Sequence, residues 1–119
     1  MKPILILDFD GVIHSYISGW KGATVIPDIP VPGALEAIRK YVLDFDVCIL
    51  SSRSHQEGGI EAMKDWMERY DPGITTLIRF PLEKPPALVS IDDRAIQFKG
   101  IWPEPARLLT FKPWNAKGV

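Results

Sequence analysis

The chain has 119 residues, 46 % of them hydrophobic, with 14 basic and 15 acidic side chains and a formal net charge of -1. That length supports one compact core and leaves no room for a second, so a single domain over residues 1–119 is expected. The near-neutral balance excludes a protein drawn as a whole to nucleic acid or membrane, although a local basic groove stays open.

Met1-Lys2-Pro3 precedes four aliphatics that Asp8 cuts off, which is too short for the core of a signal peptide. No apolar run approaches membrane-spanning length, so a cytoplasmic protein is expected. Ile4 to Leu7, with no polar break, predicts a short strand buried on both faces. It runs into Asp8-Phe9-Asp10-Gly11. In extended chain, side chains two apart share a side, which would aim Asp8 and Asp10 at one spot. Like charges held that close require a cation between them or a proton on one. Taken alone, the stretch also reads as a core strand followed by an Asp-Gly turn.

Residues 12–32 are punctuated by glycine and proline and are read as a flap over the mouth of that strand. Its tip is Gly19-Trp20-Lys21-Gly22, followed by a short strand at Ala23 to Ile26. Pro32-Gly33 introduces a helix whose apolar face carries Ala34, Leu35, Ala37, Ile38, Tyr41 and Val42. Phe45 to Leu50 is a second buried strand, and its Cys48 is read as a core residue of a reducing compartment. It ends in Ser51-Ser52-Arg53-Ser54. A second helix is expected from Gly59 to Tyr70, stopped by Asp71-Pro72-Gly73. Ile74 to Phe80 reads as a third strand. Ala87 to Ile91 reads as the last buried strand, ending in Asp92-Asp93-Arg94, with further edge strands near Phe98 to Pro103 and Leu108 to Phe111.

Strands alternating with helices imply an α/β fold: a three-layer, Rossmann-like parallel sheet with helices on both faces. In such sheets ligands bind beyond the carboxyl ends of the strands. Three strands finish there with Asp-x-Asp, Ser-Ser-Arg and Asp-Asp. Four carboxylates at one sheet edge suit a hard cation with oxygen ligands, and magnesium fits best because it needs few carboxylates beside a phosphate. A carboxylate at such an ion can attack phosphorus, and a second can move the proton. A hydroxyl and a cation from other strands would hold the phosphoryl oxygens.

Asp8-Phe9-Asp10-Gly11-Val12, the aliphatics running into Ser51, the lysine at Lys84 and Ile91-Asp92-Asp93 resemble, in order, the four motifs of the haloacid-dehalogenase-like (HAD) superfamily. The resemblance covers nearly the whole chain. It implies that Asp8 is a nucleophile forming an aspartyl-phosphate and that Asp10 is the general acid/base, its main-chain carbonyl also on Mg2+. Ser51 would bind the phosphoryl group, and Asp92, helped by Asp93, would complete the metal set of Asp8, Asp10, Asp92 and Asp93. Dehalogenases of the superfamily lack the second aspartate and its transport ATPases carry threonine there, so a phosphatase is implied. Many members carry a separate cap domain. Here the intervals between motifs hold only the flap, helices and a strand, and a capless domain is expected.

The fourth element of that pattern is the lysine. Lys84 stands eight residues before Asp92, and a fully extended chain between them would carry it ~20 Å or more from the acids. It serves only if residues 81–86 run down beside the sheet and keep Lys84 high. Arg53 and Arg79, each near a strand end, are substitutes. Ser51-Ser52-Arg53 with Asp92-Asp93-Arg94 is also similar, more locally, to the phosphatase half of polynucleotide kinase-phosphatases, where an arginine contacts the substrate phosphate. On that similarity Ser52 and Arg53 join the substrate-binding set.

Simpler roles compete at several positions. Ser51 can cap the next turn, Arg94 can pair with the adjacent acids, and His14 and His55 can bond to backbone. Trp20 can stack on a base or pack on the body; Trp66 reads as core, and Trp102 and Trp114 as tail anchors. The expected function is a magnesium-dependent phosphomonoesterase, with a nucleotide or a polynucleotide end favoured because an uncapped site is open. A small-metabolite phosphatase and a catalytically silent binding module of the same fold are the alternatives. An oligomer is neither required nor excluded.

Overall fold

The computed structural model describes residues 1–115. Three parallel strands form an open sheet in the order β2-β1-β3: β1 Ile4–Leu7, β2 Asp46–Ile49 and β3 Val89–Ile91. Leu7 lies level with Ile49 on one side and Ile91 on the other. Paired residues in a sheet share a side, so Leu5, Leu7, Val47 and Ile49 line one face.

Two helices cover that face. α1 (Ala34–Tyr41) contributes Leu35 and Ile38, and α2 (Gly59–Tyr70) contributes Met63, Trp66 and Met67 to a single apolar cluster with those strand residues. Each fully buried large side chain contributes roughly 1.5–3 kcal/mol. α2 occupies the span that its apolar spacing predicts, and its start is pinned at Gly59, where a Cβ would overlap the Arg53 carbonyl. That close approach holds the loop after β2 against the helix.

The opposite face is different. Ile6 and Cys48 are buried there, but they alternate with the residues of the helical cluster and stand outside it. The expectation of helices on both faces is therefore met on one face: α1 and α2 share it, and the short α3 (Pro105–Leu109) buries no residue. The reason is in the chain. Residues 81–86 connect the β2 region to β3, and Pro81, Pro85 and Pro86 deny that connection a helix.

Other expectations are corrected. Ile74–Leu77 is a 3₁₀ turn, and only Arg79 of the expected third strand pairs, bridging in parallel to Cys48 at the outer edge of β2. β3 is not buried: Leu88 just before it, and Val89 and Ile91 within it, are 69, 48 and 39 % exposed. Residues 23 and 24 form a turn and 25 and 26 have no regular structure where a strand was expected, and Leu108 and Leu109 end a helix where an edge strand was expected. Among the described residues no helix is long and apolar enough to cross a membrane.

Candidate active site at the carboxyl end of the sheet

Asp8 is the first residue past β1, and its N–H donates to the Ile91 carbonyl at 3.0 Å. That bond ties the end of the central strand to the end of β3, where Asp92 and Asp93 follow. The result is a cluster: Asp8, Asp92 and Asp93 each bring one carboxylate oxygen within 4.8 Å of the others. Gly11, at φ 83°, lets Asp93 in, since any Cβ there would collide with its carboxylate. Burial pushes the Asp8 carboxyl up to about 7; the Phe9 N–H bound to it works against the rise, and the charges of Asp92 and Asp93 add to it. Asp93 Oδ1 is buried and has no hydrogen-bond partner among the described residues. A buried orphan oxygen beside two further carboxylates matches the all-oxygen donor set of a hard divalent cation.

The fourth carboxylate lies elsewhere. Phe9 drops into the core and the chain turns at Gly11, so the alternation that would bring Asp10 beside Asp8 ends with the strand. Asp10 instead accepts from Arg53, with Nε at 3.0 Å and Nη2 at 3.1 Å, and from His14 Nδ1 at 2.9 Å. His14 Nε2 accepts the Asp28 N–H at 3.1 Å, which fixes the tautomer with its proton on Nδ1, pointing at Asp10. Burial alone would raise the Asp10 carboxyl, but the bonds from His14 and Arg53 outweigh it and hold it below the usual range.

Arg53 is 0 % exposed. Besides Asp10, it donates through Nη1 to the carbonyls of Gly22, Ala23 and Val25, and its guanidinium lies 4.7 Å from the centre of the Trp20 ring. Arg53 was expected to contact the substrate phosphate. The structure buries it, and it fastens the flap to the body, with the half-exposed Trp20 packed over its guanidinium.

Lys84, itself exposed, comes to the same end of the sheet as the acids. It lines a cavity of about 290 Å³ together with Asp8, Asp92, Ser90 and Leu50. The geometry follows from the backbone: Leu88 N–H bonds Ile4 at the start of β1, so the chain descends from Lys84 to Leu88 and rises again as β3. The cavity also contains Ile6, which puts it on the face away from α1 and α2. Arg79, the other substitute, is not there. It pairs with Asp46 at 2.6 Å, the residue that opens β2, at the far end of the sheet.

Ser51 follows β2 at the level of Phe9 and is buried. Its Oγ accepts the Arg53 N–H at 3.1 Å, and its own N–H donates to Ser54 Oγ at 3.1 Å. This is the capping turn that its residue type predicts, and it leaves the hydroxyl proton to donate. Ser52 is exposed and gives its carbonyl to Gln56. His55 is exposed, and Trp66 is buried with Nε1 donating to the Asp28 carbonyl at 3.0 Å. Trp114 anchors the tail through Nε1 to the Gly11 carbonyl at 2.8 Å; Trp102, at 82 % exposed, packs against the Phe98 ring with centroids 4.8 Å apart. The Asp10–His14–Asp28 chain was not foreseen. Its one sequence signal was the spacing of four between Asp10 and His14, which nothing distinguished from chance.

No protein-family model matches the chain, and comparison with curated proteins and with solved structures finds none that is similar.

Proposed function

We propose that the protein is a magnesium-dependent phosphomonoesterase of the HAD-like type, built on a minimal, capless version of the three-layer Rossmann-like fold. In this reading Arg79 marks a vestigial third strand and residues 81–86 replace the helix of the second face. The observation that carries the proposal is the meeting of Asp8, Asp92 and Asp93 at the carboxyl end of a parallel sheet, with Lys84 lining a cavity beside Asp8 and Asp92.

A divalent ion held by Asp8, Asp92 and Asp93, with the Asp10 carbonyl, would offset charge on the phosphoryl oxygens and keep Asp8 ionised despite its burial. Asp8 then attacks phosphorus: an Asp8 oxygen–phosphorus bond forms as the ester oxygen leaves. Lys84 and the Ser51 hydroxyl bind the phosphoryl oxygens, where charge builds up. Asp10 stands as the base that takes a proton from water in the second step, its carboxylate held ionised by Arg53 and His14. Its first duty, giving a proton to the leaving oxygen, requires release from Arg53.

That pairing also favours a second reading, a binding module of the same fold without turnover. The two separate in one experiment. Purified protein is screened against phosphate esters, including a generic aryl phosphate, with magnesium and other divalent ions, beside Asp8→Asn. Hydrolysis that the substitution abolishes supports the enzyme; no hydrolysis with any metal leaves the binding module.

A further inference from the structure

Beside the acids lies a second cleft, of about 700 Å³, walled by Tyr16, Ile29, Pro30, Trp114 and Arg94, with Ser15 at its base. We propose that it receives the leaving group of the phosphate ester, and that this group is the base of a phosphorylated nucleoside. The inference rests on the phosphatase reading and names the substrate class of that site.

The cleft opens onto the acids through Gly11. Trp114 donates to the Gly11 carbonyl, while the Asp93 carboxylate packs against the Gly11 Cα, so one glycine separates the indole from the acid cluster. Arg94, next in sequence to Asp93, is the charged residue of the wall. The volume suits a nucleoside and exceeds what a single phenyl ring fills. Flat π surfaces on the wall favour a flat ring system over a sugar or an alkyl chain.

Two features mark the cleft. Tyr16 has φ 60°, the left-handed region that a bulky side chain rarely occupies. There its ring stands edge-on to His14, with centroids 5.9 Å apart and planes at 70°. Strain of this kind persists where a side chain must be aimed. Ser15 is only 8 % exposed, yet among the described residues its Oγ has no hydrogen-bond partner. A buried hydroxyl without a partner, on a residue that lines a cleft, can pair with a polar atom of a ligand, and the heteroatoms of a base supply one that a plain aryl group lacks.

The test begins with wild-type protein and nucleosides that carry no phosphate, read on the ¹⁵N-labelled indole N–H of Trp114, which Trp114→Phe assigns. Adenosine or cytidine should shift that resonance saturably, and glycerol should not. In kinetics, Ser15→Ala and Trp114→Ala should each lower kcat/KM for nucleoside monophosphates more than for glycerol phosphate. The ratio should fall roughly tenfold or more for Trp114→Ala. Comparing free nucleoside 3'- and 5'-monophosphates with a short 3'-phosphorylated oligonucleotide tells which source the site uses. An unmoved indole resonance, or equal losses on both ester classes, overturns the subsite and leaves the phosphatase standing. A shifted resonance without hydrolysis of any ester overturns the leaving-group role together with the phosphatase reading.

Discussion

Replacing Asp8 by asparagine should make the metal-free protein more stable above pH 7. Burial and the neighbouring acids lift the Asp8 carboxyl from 3.8 in a free peptide to about 7 in the fold. The folded chain therefore binds this proton more tightly than the unfolded one. The stability it confers is complete below pH 4 and is lost as pH rises through about 7. A gap of about three units corresponds to ~4 kcal/mol at most. Asp8 keeps some access to solvent, which screens its interactions and brings the expected cost to roughly 2 kcal/mol. For a chain of this size that is a melting difference of about 8 °C. Asparagine has the same shape and cannot ionise, so Asp8→Asn should melt about 8 °C above wild type at pH 8 with chelator present, and level with it at pH 4. The difference between the two proteins reports on the cluster of Asp8, Asp92 and Asp93, because Asp10, Asp28 and Asp46, whose carboxyls are lowered, titrate alike in both. Saturating magnesium should reverse the order at pH 8 by stabilising wild type alone, by ~2.7 kcal/mol at a hundredfold excess over Kd. Calorimetric scans at the two pH values, with and without magnesium, measure all of this. Equal melting of the two metal-free proteins at pH 8 would refute the account of the acid cluster.

Lys84→Ala should lower kcat/KM for phosphate esters about a hundredfold or more, as loss of a charge-stabilising donor does, with Lys84→Arg intermediate; steady-state kinetics would expose an inert lysine. Arg53→Ala leaves Asp10 buried without its cation and should cost about 3–5 kcal/mol in urea unfolding; a loss below about 1 kcal/mol would mean the flap is held by other contacts. Arg79→Ala breaks a half-exposed pair and should change stability by less than about 1 kcal/mol, with activity unaltered, whereas lost activity would return Arg79 to the site.

The sequence was informative where one residue type does one job. Ile4 to Leu7 and the apolar spacing of Gly59 to Tyr70 specify β1 and α2 because both bury their faces in the same cluster. Asp8, Asp92 and Asp93 were readable as a group because strand ends in a parallel sheet gather at one edge. Apolar runs do not say how many faces will be covered, so β3 looked buried although Val89 and Ile91 stay exposed. Alternation does not survive the end of a strand, which is why Asp10 left the group it was assigned to. Arg53 could not be distinguished from a surface cation, since its partners are carbonyls about 30 residues away in the flap. Lys84 depended on the direction of a proline-rich connection, a tertiary fact with no local signature.

Arg53 has a consequence for how the molecule comes apart. One guanidinium clasps residues 22–25 through Nη1 and holds Asp10 through Nε and Nη2. Loss of that one side chain would therefore release the flap and strip Asp10 of its cation in the same event. A loose flap and an Asp10 that is easier to protonate would appear together, two failures with a single origin.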